Sequence, residues 1–218
     1  MITYVIALKS ELKHFIDKME NAKTEFIAGK EIIRCSIFGK ESVFIISGIG
    51  KVNAAFSTQI VIDKFSPDII INFGAAGGCD RSVKVLDYYI ADKCCQYDFE
   101  QSLTENLPLG LIQGYDSNYF KAKDIVCELE KKIFATADKF LTSENDLSPV
   151  QALSASVCDM ESGAIAQVCV SNDVPFISVK GITDSVYKEN GTGQFVENLD
   201  KIAKNFPSII EKIVKNAL

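Results

Sequence analysis

Hydrophobic positions along the chain recur in short runs rich in Val, Ile and Phe, separated by segments with helical spacing. Such runs predict β-strands near residues 3–8, 30–37, 43–47, 68–73, 85–97, 134–141, 155–159 and 175–180. Apolar spacing of about 3.6 residues predicts helices at 9–19, 52–65, 117–132, 161–171 and 195–217. Pro207, inside the last of these, predicts a kink or a new helix start at that point.

The strands read as continuous apolar runs, such as IIINF and PFISV, rather than as alternating patterns. Runs of this kind suit parallel strands that are covered by helices on both faces. The predicted class is therefore α/β: a single domain over residues 1–218, with a mixed, mostly parallel central sheet flanked by helices. Two runs around Gly39 and Lys40 predict an antiparallel hairpin over 30–47. The long loop 99–115 is either flexible or a flap that completes a site.

Composition and charge narrow the class of partner. The 218 residues carry a formal charge of -6, and only Arg34 and Arg81 are arginines among 23 basic residues, which argues against a broad nucleic-acid surface. No apolar run approaches the roughly 18 residues that a membrane-spanning helix needs, and the first residues lack a basic leader. We expect a cytoplasmic protein that binds neither nucleic acid nor membrane.

Cysteine and histidine usage limits the chemistry. The seven cysteines have no C-x-x-C spacing, so the sequence predicts neither a zinc cage nor a disulfide framework, and we expect most of them to be small core residues. Adjacent Cys94 and Cys95 are expected to be buried thiols. With His14 as the single histidine, expected at the surface or in packing, any acid or base must be a carboxylate, Lys, Tyr or Cys.

Candidate site residues follow the predicted strands. In open α/β sheets, ligands bind at the carboxyl ends of strands. The groups found there are Glu11, the Gly48–Gly50 turn, the GAAGG segment from Gly74, Glu161 and Asp184. Each has an ordinary structural alternative: a helix-start carboxylate, an N-cap or a simple connecting turn. The three glycines of GAAGG, however, indicate a backbone that must lie close to another group.

Two nucleotide-binding motifs are excluded. A dinucleotide-binding turn would need a third glycine at position 53, where this chain has Asn53. The sequence also has no GxxxxGK[ST] stretch, so a P-loop is ruled out.

The chain contains four distinctive segments, in this order: SGIGKVNAA, INFGAAGG, CDMESGAIAQVC and PFISVKGITD. This combination resembles the 5′-methylthioadenosine/S-adenosylhomocysteine nucleosidases of the nucleoside phosphorylase superfamily, over nearly the whole chain. The resemblance implies a three-layer sandwich that hydrolyses the bond between N9 of adenine and the ribose, without a metal or organic cofactor. It also implies a homodimer in which the partner contributes to the pocket, with the loop 99–115 as a candidate contributor.

The resemblance also implies roles for particular residues. Asp184 matches the acid that protonates N7 of the purine, Glu11 the carboxylate that deprotonates water, and Glu161 the group that holds the ribose hydroxyls. The other expected substrate contacts are Met160, Ile49, Ala75, Gly77, Asp146, Leu147 and Phe195.

Two positions depart from the family pattern. Ala75 replaces a serine in the family's Gly-Ser-Ala-Gly-Gly, which removes a hydroxyl that would contact the water or the ribose. The family's Gly-Asp-x-Phe, whose phenylalanine stacks on adenine, is matched to residues 143–146. There Asp146 would accept a hydrogen bond from the base instead of stacking, and Leu147 would offer backbone contacts.

Two other functions stay open from the sequence. A phosphorylase would need a phosphate cradle, normally built from arginine forks. With two arginines in the chain water is favoured, although Lys51 and Lys180 could substitute in part. A catalytically silent nucleoside-binding protein is the alternative from outside the enzymes, because the base pocket departs from the family pattern.

Overall fold

A large mixed sheet organises the structure, a computed structural model that describes residues 1–101 and 107–217. Its strands are β1 (Ile2–Ile6), β2 (Glu20–Ile27), β3 (Lys30–Ile37), β4 (Lys40–Ile46), β5 (Ile69–Gly78), β6 (Tyr88–Gln96), β7 (Phe120–Lys121), β8 (Glu130–Thr136), β9 (Val157–Asp159) and β10 (Phe176–Ser185). The helices are α1 (Lys9–Leu12), α2 (Lys51–Phe65), α3 (Ser148–Ala152), α4 (Ser162–Ser171) and α5 (Gly191–Ala217), with 3₁₀ turns at Lys13–Lys18 and Glu144–Asp146.

The sheet closes on itself around its centre. The strand order is β10-β6-β8-β9-β5-β1-β4-β3-β2, and β10 also pairs with β5, so five strands form a ring. Strands β1, β4, β3 and β2 extend from it in that order, and β7 pairs with β6 outside this path. Parallel pairing joins β1 to β4 and β5, and β5 to β10. The carboxyl ends of these strands therefore meet in one region, next to the end of β9.

Helices cover both faces of the sheet. On one face, α2 and α4 pack on a core that includes Val5, Val61 and Ile165. On the other, α1 and α5 pack on a core in which the ring of Phe15 stacks on Phe73 with 4.7 Å between centroids. The α/β class, the mixed sheet and the flanking helices are confirmed.

The hairpin over 30–47 is confirmed, with its turn at Phe38 and Gly39, both at positive φ. One other expectation is wrong. The region predicted as a helix over 117–132 contains β7 and the start of β8, which pairs in parallel with β6. Helix α5 runs through Pro207 without a new start, so the kink is the part of that expectation that stays a prediction. The sequence also missed β2, because its side chains are mostly exposed and polar and give no hydrophobic signal.

Strands β5 and β10 extend further than their apolar runs. The GAAGG segment, predicted as a turn, continues β5 to Gly78, and β10 continues through Asp184 to Ser185 in parallel register with it. Small residues allow this, since neighbouring groups lie too close for larger side chains. Catalytic candidates thus lie within the strands as well as beyond them.

Antiparallel pairing of β5 and β9 brings Cys79 and Cys158 together as a disulfide, with 6.3 Å between their Cα atoms. The expectation of no disulfide is therefore wrong for this pair; a separation of 79 residues gives no local spacing signal. Cys94 and Cys95 are buried and free, as expected. Among the helices in residues 1–101 and 107–217, none combines the length and the apolar character that a membrane span needs.

Candidate active site

A cavity of about 570 Å³ lies where the ends of β1, β5, β9 and β10 meet. Most of the residues singled out in the sequence line it. They are Glu11, Ile49, Ala75, Gly77, Met160, Glu161, Asp184 and Phe195. The remaining lining residues are mostly apolar or small and include Leu8, Phe140, Leu141 and Thr192. The structure thus brings together three carboxylates that are distant in the sequence.

Glu11 is held at the wall of the cavity by backbone amides. The amide of Ala75 donates to its Oε1 at 2.8 Å, and the amide of Leu8 donates to its Oε2 at 2.9 Å. Gly74 makes this approach possible, because a Cβ there would lie 2.5 Å from Oε1 of Glu11. Burial raises the pKa of Glu11, while the charge of Lys180 and the amide hydrogen bonds oppose that rise. The expectation that the glycines permit a close approach is confirmed here.

Glu161 immediately precedes helix α4 and lines the cavity. The amide of Gly50, at φ 98°, donates to its Oε1 at 3.2 Å. The Gly48–Gly50 turn thus serves this carboxylate rather than a phosphate. Burial raises the pKa of Glu161 to about 7, and Lys180 opposes the rise.

Asp184 lies in β10 beside β5. The hydroxyl of Thr183 donates to its Oδ1 at 2.6 Å, and a Cβ on Gly77 would lie 3.1 Å from its Oδ2. Its side chain is buried, which raises its pKa to about 6, although the Thr183 hydrogen bond lowers it in part. A carboxyl group that holds its proton near neutral pH is suited to general-acid chemistry.

Known proteins match the chain along its length. A family model described as the phosphorylase superfamily matches residues 2–215. The 5′-methylthioadenosine/S-adenosylhomocysteine nucleosidase of Bacillus thuringiensis subsp. konkukian is 31% identical, over 98% of this chain and 98% of its own. The chain belongs to this nucleosidase family.

Solved structures agree with that assignment. The nucleosidase of Neisseria meningitidis in complex with methylthio-immucillin-A is 25% identical, with a TM-score of 0.90 over 98% of each chain. A futalosine hydrolase mutant of Helicobacter pylori has the same TM-score and coverage at 22% identity, which is a likeness of fold alone.

The structure corrects the position of the family's Gly-Asp-x-Phe segment. Asp146 and Leu147 do not line the cavity: Asp146 forms an ion pair with Lys139 at 3.0 Å, and Leu147 is buried in a separate core cluster. The cavity wall is formed instead by the segment from Lys139 to Thr142. Phe140 in this segment packs edge-on against Phe195, with 5.9 Å between ring centroids.

The signal for Phe140 was present in the sequence. Residues 137–140 read Ala-Asp-Lys-Phe, which keeps the Asp-x-Phe spacing six residues before the position first matched. The Asp138 carboxylate accepts from the amide of Lys51 at 2.7 Å, which ties this segment to the start of α2.

Basic groups near the cavity are already paired. Lys51 pairs with Asp98 at 2.6 Å, and Lys180 pairs with Asp159 at 2.9 Å. Arg81 pairs with Glu144, and Arg34 lies over the ring of Phe65; neither belongs to the cavity lining. Within the part of the chain that the structure describes, no arginine fork faces the cavity.

Proposed function

We propose that the chain hydrolyses the N-glycosidic bond of a 5′-modified purine nucleoside, methylthioadenosine or S-adenosylhomocysteine, and releases adenine and a 5-thioribose sugar. One observation carries the proposal: three buried carboxylates, each held by its own hydrogen bonds, face one largely apolar cavity. A cavity of this kind can enclose a nucleoside while a few polar groups fix its orientation.

Asp184 acts as the general acid. Departure of adenine requires a proton on the purine ring, and a carboxyl group whose pKa is raised by burial can deliver it to N7. The Thr183 hydroxyl occupies Oδ1 of Asp184, so the proton is transferred from Oδ2.

Glu11 and Glu161 act on the sugar. Glu11 removes a proton from the attacking water, and its two amide contacts fix the direction of the carboxylate. Glu161 accepts hydrogen bonds from the ribose hydroxyls, and its negative charge stabilises the cation-like sugar of the transition state. Met160 packs against the ribose, and Ile49 lines the same apolar pocket.

Water is the nucleophile rather than phosphate. A phosphate ion would need free cationic donors at the cavity, but Lys139 in its lining and Lys51 and Lys180 nearby are each engaged with a carboxylate. Binding a further anion beside Glu11 and Glu161 would bring like charges together in a buried site.

The chain is inferred to be one nucleosidase domain, since a single family model spans residues 2–215. It is also inferred to work as a cytoplasmic homodimer without a metal or organic cofactor. An apolar strip supports the dimer: Ile49, Val52 and Phe56 are 48%, 78% and 45% exposed, and Ile49 also lines the cavity. A second copy on this strip would close the cavity mouth.

The test is an incubation of purified protein with methylthioadenosine, S-adenosylhomocysteine, adenosine and inosine, each with and without phosphate, followed by chromatography of base and sugar. We expect adenine release without phosphate, and loss of that release in Asp184→Asn, which cannot donate the proton. Release that requires phosphate would reassign the chain to the phosphorylases. Tight nucleoside binding by calorimetry without any release would instead identify a silent binding protein.

A further inference from the structure

A lysine is buried beside the catalytic carboxylates. The side chain of Lys180 is 1% exposed, and its Nζ lies 2.9 Å from Oδ2 of Asp159 and 3.6 Å from Oε2 of Glu161. An ammonium group in such a place is strongly unfavourable unless it is paired with opposite charge. Lys180 therefore lies between two carboxylates. Glu161 takes part in the proposed reaction, and Asp159 does not.

Asp159 is anchored independently of Lys180. The hydroxyl of Thr136 donates to its Oδ1 at 2.5 Å, and the amide of Ser162 donates to its Oδ2 at 3.1 Å. Thr136 in turn accepts from the amide of Gly163 at 2.7 Å. The network thus runs from β8 through Asp159 to the start of α4, and it fixes the carboxylate to which Lys180 binds.

Glu161 receives one contact on each oxygen. Its Oε1 accepts from the amide of Gly50, and its Oε2 faces Lys180. If Lys180 were neutral, Oε2 would have the carboxylate of Asp159 nearby without a cation between them. The orientation and the charge of Glu161 both depend on the ammonium group.

We propose that Lys180 and Asp159 are positioning residues: Lys180 favours the ionised form of Glu161, and the pair keeps that carboxylate aimed at the ribose. This inference uses the proposed function for the role of Glu161 but not for its ionisation. Lys180 supplies the positive charge, and Asp159 fixes where that charge lies. The pair acts through Glu161 and needs no contact with the substrate.

The electrostatic balance around Glu161 supports this role. Burial, Asp159 and Glu11 raise the pKa of Glu161, and Lys180 lowers it. Burial opposes the charge of Lys180 itself, but the three carboxylates outweigh burial and raise its pKa. The titratable groups that face this cluster from the surrounding elements are Glu11 on α1, Cys94 and Cys95 on β6, Tyr97 after β6, Asp159 on β9, and Lys180 and Asp184 on β10.

Two substitutions should move the titration of Glu161 in opposite directions. Lys180→Met removes the nearby positive charge, so the pKa of Glu161 should rise, by about 1 unit or more. Asp159→Asn removes a nearby negative charge and leaves the ammonium to Glu161, so the pKa should fall. Lys180→Arg keeps the charge and should leave the pKa near its wild-type position even if the bulkier side chain reduces turnover.

The readout is a ¹³C NMR titration of glutamate carboxyl groups in the ligand-free protein, with the Glu161 signal assigned by its loss in Glu161→Gln. The pH profile of kcat/KM for adenine release is measured in parallel. Its acid limb should shift upward in Lys180→Met and downward in Asp159→Asn, because Glu161 must be charged. Lys132→Met is the matched control: Lys132 is also a strand lysine paired with a carboxylate, Glu130 at 2.8 Å, but it lies outside the cavity lining.

The possible outcomes distinguish an effect of charge on Glu161 from a general loss of structure. An unmoved Glu161 titration in both folded variants, or shifts in the same direction, would overturn the proposal. If Asp159→Asn does not fold by circular dichroism, the double variant Lys180→Met with Asp159→Asn replaces the pair with neutral groups, and its Glu161 pKa should lie between those of wild type and Lys180→Met. If wild-type protein releases no base, the proposed function fails while the NMR titration still decides the ionisation of Glu161.

Discussion

The three carboxylates of the site differ in the groups that hydrogen-bond or pair with them. Glu11 is fixed by two backbone amides, Glu161 by one amide and one ammonium, and Asp184 by a hydroxyl alone. The group with no cation among the causes of its pKa shift is Asp184, which is the group proposed to carry a proton. Glu11 and Glu161 have cationic or multiple donor support and are the groups proposed to act as anions, but the pKa of Glu161 is raised to about 7 and that of Asp184 to about 6, so this support alone does not sort the three carboxylates.

Phe140 lines the cavity and is proposed to stack on the base in place of Asp146. We expect Phe140→Ala to lower kcat/KM for methylthioadenosine by roughly 5-fold to 150-fold, since stacking of a base on an aromatic ring is worth about 1–3 kcal/mol. The side chain is 38% exposed, so the folded state should lose little stability. Steady-state kinetics with thermal unfolding checks both effects.

Asp146→Asn is the control for this prediction. Asp146 makes a half-exposed ion pair with Lys139, which contributes at most about 1 kcal/mol to stability, and it does not line the cavity. Its kinetics should match wild type within about a factor of two. A large loss of kcat/KM in Asp146→Asn, together with an unchanged kcat/KM in Phe140→Ala, would restore the original match of residues 143–146 to the family's Gly-Asp-x-Phe.

Phe140 and Asp146 show which site residues could be predicted from the sequence and which could not. The three carboxylates could be found because each lies in a distinctive motif that follows an apolar run. Phe140 was missed although residues 138–140 keep the Asp-x-Phe spacing, because the predicted strand 134–141 covered them, whereas β8 ends at Thr136. The pairing of Lys180 with Asp159 gave no sequence signal, since it joins β10 and β9, two strands that are separated by β5 in the closed ring.

At the scale of elements, strand β5 leaves room for two of the proposed catalytic carboxylates. Its glycines carry no side chain where Glu11 and Asp184 approach the strand, so the backbone itself forms the floor of the cavity. Pattern analysis ended this strand at Phe73, because small residues carry little hydrophobic signal. It overlooked β2 for the related reason that exposed polar strands lack alternation.

Gly74→Ala tests the role of β5. The added Cβ would lie 2.5 Å from Oε1 of Glu11 and must displace that carboxylate. We expect kcat to fall by about 100-fold or more, in the range typical for loss of a general base. The measurement is kcat for adenine release at a fixed pH, with circular dichroism to verify the fold.

Gly78→Ala is the matched change on the same strand. Its Cβ would meet Val83 at 3.1 Å and Ile182 at 3.6 Å, and no catalytic carboxylate side chain. Overpacking of this kind costs roughly 1–3 kcal/mol of stability, and we expect kcat to be largely retained. Equal losses of kcat in both variants would mean that β5 affects activity through general stability rather than through Glu11.

At the scale of the whole molecule, the cavity opens beside an apolar strip. Ile49 lies in the cavity wall just before α2, Val52 and Phe56 follow four residues apart on α2, and all three are substantially exposed. Scattered exposed apolar residues are ordinary, but a strip that continues a ligand cavity is typical of a surface covered by another chain. This strip supports the proposed homodimer.

The dimer can be tested through Val52, which is 78% exposed. Wild-type protein should have twice the 24.0 kDa mass of the chain in light scattering coupled to size exclusion. Val52→Glu would bury a charge against the partner and should shift the protein to the monomer mass. Adenine release should fall with dimer content, because the cavity mouth then stays open to water.

Val126→Glu, at a 93% exposed valine outside the strip, should remain dimeric and active. A monomeric wild type, or a dimeric Val52→Glu, would place the partner elsewhere or remove it from the mechanism.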